Sequence, residues 1–317
     1  MIRLALGFAV LLASGALAQP FPSKPVHIVV AFPPGGGVDI VARLLAPRLA
    51  EAWGQQVIVD NRAGASGTIG TEFAARSAAD GHTLLLGTLG NLAVNQHLYP
   101  KMSVDPLRDF APVTQVVAVH FVMVANPSLP AKSIAELIAL AKSRPGQIYY
   151  SSSGPGGAPH LAAELFKSMA QVNLVHVPYK GSAPSFQDLL GGQVSLTCDS
   201  LVQALPYLRE RRLVALAVLG ATRSPLLPDV PTVGETLPGY ELTNWFGLVA
   251  PAAVPRPAIA RIHADVVKVL KDPAISEKLS GMGASAIGNE PEQFGAAMRA
   301  DSEKWGKLIR EAHIRAE

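Results

Sequence analysis

The sequence predicts an α/β protein of two βα lobes hinged around a cleft, with mostly parallel sheets flanked by helices. Three observations carry this. The chain has 317 residues, too long for one ordinary domain and about right for two. Short β-branched runs alternate with segments of helical period, the pattern of parallel strands joined by crossover helices. A strand-like run at 244–251 follows a proline-rich stretch and can return to the first set of strands. The chain would then cross between lobes more than once, as hinged two-lobe molecules do.

In the first lobe, VHIVVAF (26–32) is a continuous apolar strand. Ile40, Leu44, Leu45, Leu49 and Trp53 follow at helical spacing. QVIVDN (56–61) is a strand, GTEFAARSAADG (70–81) a helix stopped by glycine, and HTLLLGT (82–88) a strand. The rhythm then repeats. FVMVANP (121–127) is a strand. The helix over 133–146 has Ser133 as N-cap, Glu136 three residues on, and Pro145-Gly146 as its stop. QIYYSSS (147–153), LVHVPY (174–179), QVSLTCD (193–199) and LVALAVLG (213–220) are strands. Helices at 160–170, 185–192 and 201–212 separate them. The tail, 257–283 and 292–314, is helical. The expected division is 25–122 plus 226–317 for lobe 1 and 123–225 for lobe 2.

The first residues predict a compartment. Arg3 gives a positive end, Leu4 to Ala13 is apolar but too short to span a bilayer, and Ala16-Leu17-Ala18 is a small-x-small site. A secretory signal peptide over 1–18 is expected. No cysteine follows the apolar stretch, so no lipid attachment site is expected. Cys198 is the single cysteine, which leaves no internal disulfide and no zinc site built on several cysteines. Its apolar surroundings predict a small buried hydrophobe. Net charge is +3 without a basic run, which argues against a nucleic-acid partner.

The chemistry-bearing segments are glycine-rich turns where strands end and helices begin. Ligands of open α/β sheets bind outside the carboxyl ends of strands. Glycines let backbone N–H groups approach closely, and a helix N-terminus adds about half a positive charge. Gly35-Gly36-Gly37 is the first such turn. Its consecutive glycines do not match Gly-x-Gly-x-x-Gly, and no Walker lysine follows. Gly36 is the position where a β-branched side chain is expected to block the backbone approach. Asp39 in the first helical turn either complements the helix dipole or receives a ligand cation. YYSSSGPGGAPHLAAELF (149–166) repeats the idea, with Ser152 and Ser153 offering hydroxyls and Gly156 and Gly157 offering amides. The turns in 61–70 and 87–95 are two more candidates. Asp199 either reaches the cleft or caps the next helix. No Gly-x-Ser-x-Gly elbow, no base spaced to serve a nucleophile and no metal-ligand spacing is present, so neither cofactor nor metal is expected.

Seven segments in order, FPPGGGVDIVARLLA, VDNRAGASGTIG, ADGHTLL, YYSSSGPGGAPHLAAELF, HVPYKGSAPSFQDLLGGQV, LPDVPTVGE and WFGLVAP, resemble the Bug family of periplasmic solute-binding proteins. These are the extracytoplasmic receptors of tripartite tricarboxylate transporters. The resemblance runs from about Pro25 to Lys307. It implies a two-lobe Venus flytrap in the periplasm that closes on a small mono- or dicarboxylate, or an amino acid, and delivers it to membrane permease subunits. A monomer without catalysis is expected, with a secreted enzyme acting on a small organic anion as the alternative. Carried over, the carboxylate-holding loops are Phe32 to Gly37, with Pro33, Gly35, Gly36 and Gly37 among them, and Ser151 to Gly157. Asp39 matches the position that faces the ligand amine in amino-acid binders. Thr88 and Asn91 match a cleft loop, and Asp199 a position near the ligand's far end. Asp60 stands where the family commonly has glutamate, Ala63 where it has proline, and Gly157 and Ala158 where hydroxyl residues are frequent.

Overall fold

The computed structural model describes residues 21–99, 101–311 and 314–315, so the expected signal peptide lies outside the described residues. Among them, eleven strands form two sheets. The first contains β1 (Val26–Val30), β2 (Val57–Asn61), β3 (Thr83–Thr88), β4 (Phe110–Val119), β10 (Asn244–Pro251) and β11 (Ala284–Ala286), in the order β11-β4-β10-β3-β1-β2. The second contains β5 (Phe121–Ala125), β6 (Tyr149–Ser152), β7 (Val175–Pro178), β8 (Leu196–Ser200) and β9 (Val214–Val218), in the order β7-β6-β8-β5-β9.

The two-lobe α/β class stands, but the sheets are mixed rather than mostly parallel. Five of the nine strand pairs are antiparallel and four are parallel. The crossing strands cause this. β4 leads out of the first sheet straight into β5 of the second, and β10 returns between β3 and β4, antiparallel to both. The expected return of 244–251 is therefore real. β4 itself was not expected. Pro112 interrupts its apolar pattern, and it pairs with Val249 beside a register shift in the β4–β10 ladder. A strand tolerates proline at such an irregularity.

The expected division at 122/123 and 225/226 also needs correction. β5 lies wholly in the second sheet. The segment after β9 stays with that sheet through Val218 N–H to Pro231 O, Leu242 N–H to Leu219 O, and the Tyr240 hydroxyl to Ala162 O. Sheet membership changes between Val119 and Phe121 and again just before Asn244.

Each sheet buries apolar faces against helices. Val26, Ile28 and Val30 pack with Val41, Leu45 and Leu49 of α1 (Gly37–Trp53). Val122 and Val124 pack with Phe186, Leu189, Leu201 and Leu205. The long tail helix Pro291–Glu311 covers the first sheet with Phe294, Met298 and Trp305. Trp245 locks it there, edge-on to Phe294 at 5.2 Å and donating its indole N–H to Asp301. Among the described residues no helix is long and apolar enough to cross a membrane.

Candidate functional site

The turn after β1 is built by Asp39. Gly35 has φ +84°, a left-handed conformation that glycine adopts without strain, and its N–H points back to Asp39 Oδ2 at 2.9 Å. Arg43 Nε donates to both Asp39 oxygens at 3.0 and 2.9 Å, and Asn61 Nδ2 donates to Oδ1 at 2.9 Å. Burial pushes the Asp39 pKa up. The bonds from Arg43, Gly35 and Asn61 outweigh that and hold it below the usual carboxylate range. Its carboxylate is thus committed to the turn, and Asp39 is not among the residues lining the pocket.

That pocket lies between the lobes. Four helices begin at it. They are α1, α2 (Ala158–Ala170), α3 (Ser182–Leu190) and α4 (Leu201–Arg209), with N-caps Gly36, Gly157, Gly181 and Ser200. None of the four carries a side-chain cap. A helix N-terminus leaves its first N–H groups without intrahelical partners and carries partial positive charge. Gly36, Gly37 and Val38, then Gly157, Ala158 and Pro159, then Ser182, then Ser200 line the pocket. Phe32, Phe121 and Phe246 supply apolar wall, and the lining contains no lysine, arginine or histidine. The arrangement can hold a small anion with backbone amides and hydroxyls.

Of the expected site residues, Phe32, Gly36, Gly37, Thr88, Ser153, Gly157 and Asp199 line this pocket. Pro33, Gly35, Asp39, Asn91, Ser152 and Gly156 do not, and each stands behind the lining for a local reason. Pro33 packs across the lobes at Gly181, where an added Cβ would come 2.5 Å from its Cδ. Asn91 Oδ1 accepts from Thr88 N–H and Oγ1 at 2.8 and 3.0 Å, and Asn91 Nδ2 donates to Thr71. Asn91 therefore positions Thr88. Ser152 Oγ meets His176 Nε2 at 2.6 Å and accepts the Gly154 N–H. Gly156 N–H donates to His160 Nδ1 at 3.1 Å. His160 and His176 stack at 4.3 Å. Burial drives the His160 pKa down to about 4, with Glu164 opposing and Lys167 adding to the fall. Burial, His160 and Lys167 drive that of His176 to about 3. A neutral ring leaves Nδ1 free to accept, so burial of these histidines is what lets them hold the loop.

The turn in 61–70 is not at the pocket. Ser66 instead faces the opposite lobe, next to Gly154, and the Tyr99 hydroxyl donates to Pro155 O at 2.8 Å and meets Ser66 Oγ at 3.0 Å. Cys198 is fully buried, and burial with the neighbouring Asp199 pushes its thiol far up, so it is the small hydrophobe expected.

Sequence reasoning missed Val38, Ala158, Pro159, Ser182, Ser200, Phe121, Asn244 and Phe246. Lys180-Gly181-Ser182 carried the same strand-glycine-helix signal as the other turns. Asn244 and Phe121 had none, since the crossing strands bring them in from far along the chain. Asp199 is 3% exposed, and burial raises its pKa to about 6, with the nearby Ser182 and Ser200 opposing the rise. Its Oδ1 accepts the Ser200 N–H at 2.6 Å.

The profile of the tripartite tricarboxylate transporter family receptor matches residues 41–314. Protein BugT of Bordetella pertussis is 36% identical over 98% of this chain and 98% of its own length. The solved structure of Rhodopseudomonas palustris Rpa4515 with adipate is similar at 38% identity, TM-score 0.91, over 93% of this chain and 99% of that one. That of MatC (Rpa3494) from the same species with bound malate is similar at 32% identity, TM-score 0.88, over 91% of this chain and all of that one.

Proposed function

This chain belongs to the tripartite tricarboxylate transporter receptor family, and from that premise we propose how it works. It captures a small organic carboxylate between its lobes, in the periplasm after export through the cleaved 1–18 segment, and passes it unchanged to membrane permease subunits. One observation carries the reading: four uncapped helix N-termini converge on a pocket whose lining holds no basic side chain. Each backbone or hydroxyl bond to the ligand's charge contributes about 1.5–3 kcal/mol. Four or five offset the association cost and leave about micromolar affinity. The similar proteins solved with adipate and malate support a carboxylate of this size.

For the enzyme alternative, two serine–histidine pairs stand at hydrogen-bond distance among the described residues, Ser152 with His176 at 2.6 Å and Ser302 with His97 at 2.7 Å, and neither serine lines the pocket. Ser152 is fully buried and outside the pocket lining, and its oxygen is engaged by the Gly154 N–H. That geometry favours a loop support over a nucleophile. Calorimetric titration of the purified monomer with mono- and dicarboxylates, with the solution assayed for product, tests the reading. Saturable binding with the acid recovered intact is expected. Turnover of any bound acid would overturn it.

A further inference from the structure

Three polar atoms in the pocket have no hydrogen-bond partner. Asp199 Oδ2, Ser200 Oγ and Asn244 Oδ1 are each buried and unsatisfied, on residues 3%, 2% and 3% exposed. All three residues line the pocket. They come together where the chain changes sheets. Asp199 and Ser200 pair with Val122 and Phe121, and Asn244 pairs with Val119. An ionised carboxylate oxygen and an amide oxygen only accept, and the serine hydroxyl can do either. Buried acceptors without donors are rare because leaving them so is costly.

We propose that Asp199, Ser200 and Asn244 form a second subsite that receives a hydrogen-bond donor on the cargo. The cargo is then a carboxylate whose opposite end carries a hydroxyl or an ammonium group. This rests on the receptor reading above and names the ligand class within it. One end of the cargo meets the helix N-termini. The other end donates to Asp199 Oδ2 and Asn244 Oδ1. A second ionised carboxylate there would meet the Asp199 charge directly, and no cation among the lining residues offsets it. A plain alkyl end would leave both acceptors desolvated and unmet. Asp39, with its oxygens already held by Arg43, Asn61 and Gly35, is not the group that meets an ammonium.

Calorimetry on the full chain with matched four- and six-carbon series tests this. Each series contains the plain monocarboxylate, the dicarboxylate, the ω-hydroxy acid and the ω-amino acid. The ω-hydroxy or ω-amino acid is expected to bind at least about tenfold more tightly than the other two of its length. Asp199→Asn is expected to close the gap by improving the dicarboxylate and weakening the ω-amino acid. Its ligand-free melting curve checks folding, and the wild-type series decides the matter if it does not fold. A dicarboxylate that binds tightest to the wild type, or a ranking unmoved by Asp199→Asn, overturns the proposal. Equal binding of all four classes overturns this subsite and leaves the carboxylate receptor standing. No binding of any acid overturns both.

Discussion

Gly37 brings the lobes into contact at the pocket, and a side chain there should hold them apart. A Cβ on Gly37 would lie 2.6 Å from Ser200 Oγ, 3.6 Å from Ser200 Cβ and 3.5 Å from Phe246 Cζ. The last two are ordinary contacts, so the whole conflict with one added carbon is with the Ser200 hydroxyl. That hydroxyl has no partner and can turn away. Gly37→Ala therefore costs the closed form about 0.5–1.5 kcal/mol of displaced rotamer, or about two- to twelvefold in affinity. Gly37→Val adds two methyls toward Phe246 and Ser200 and costs about 1–3 kcal/mol, or about five- to 150-fold. Both residues are helical at this position, so the ligand-free melting temperature should not fall; alanine can raise it slightly. Removing the obstacle should relieve the strain. In a double-mutant cycle, Gly37→Ala should cost less in a Ser200→Ala background than alone. The assay is isothermal titration with the tightest acid found, beside a thermal melt of each variant. Wild-type affinity in Gly37→Val, or strictly additive effects in the cycle, refutes the reasoning. At Gly36, the position the sequence pointed to, an added Cβ meets only Pro33 O at 3.8 Å, so a loss of affinity in Gly36→Val would come from crowding the ligand and not from a clash within the protein.

Three further expectations follow from the same geometry. Asp39→Asn places an amide among three donors, so the ligand-free protein should lose about 1–3 kcal/mol, measured by urea unfolding, with relative affinities for amine-bearing and plain acids unchanged. Tyr99→Phe deletes the interlobe bond to Pro155 and should weaken binding about two- to tenfold through faster release, with stability of the ligand-free form unaltered; stopped-flow dissociation checks it. The Asp199 pKa is raised in the fold from 3.8 to about 6, so the folded state holds the proton more tightly than the unfolded. Its contribution is present below about pH 3.8 and is lost as pH rises to about 6, by about 3 kcal/mol. Asp199→Asn should therefore gain stability over the wild type across that window and keep the gain at neutral pH. His160 and His176, with pKa values lowered in the fold, act with the opposite sign: their contribution is lost as pH falls below about 6.5. The variant-minus-wild-type curve cancels them.

Much of this protein was legible along the chain because the signals are local. The Ser133 cap with Glu136 three residues on predicted the start of the helix Ile134–Ser143, and Ser133 Oγ does accept the Glu136 N–H. Capping, turn chemistry and apolar period act over about four residues, so they survive being read in one dimension. The same holds for the glycine turns at Gly36 and Gly157, which sit where strands end and helices begin. β4 was hidden because Pro112 and the polar Thr114 and Gln115 break its pattern, and only its partner β10 supplies the register that makes it a strand.

The sequence by itself determined that strands alternate with helices in two groups, that the strand at Asn244–Pro251 could rejoin the first group, and that several helices start at glycine-rich turns. Only the tertiary structure decided which of those starts share one pocket. It also turned Asp39 to Arg43 and Asn61 while giving Asp199 no cationic partner, although both carboxylates stand near a strand-to-helix turn. A carboxylate's partners are set by what the fold packs against it from distant parts of the chain. Asn61 reaches Asp39 because β2 lies beside β1, and Asn244 stands by Asp199 because two strands cross between lobes at the same place. Short-range propensity carries no information about such neighbours.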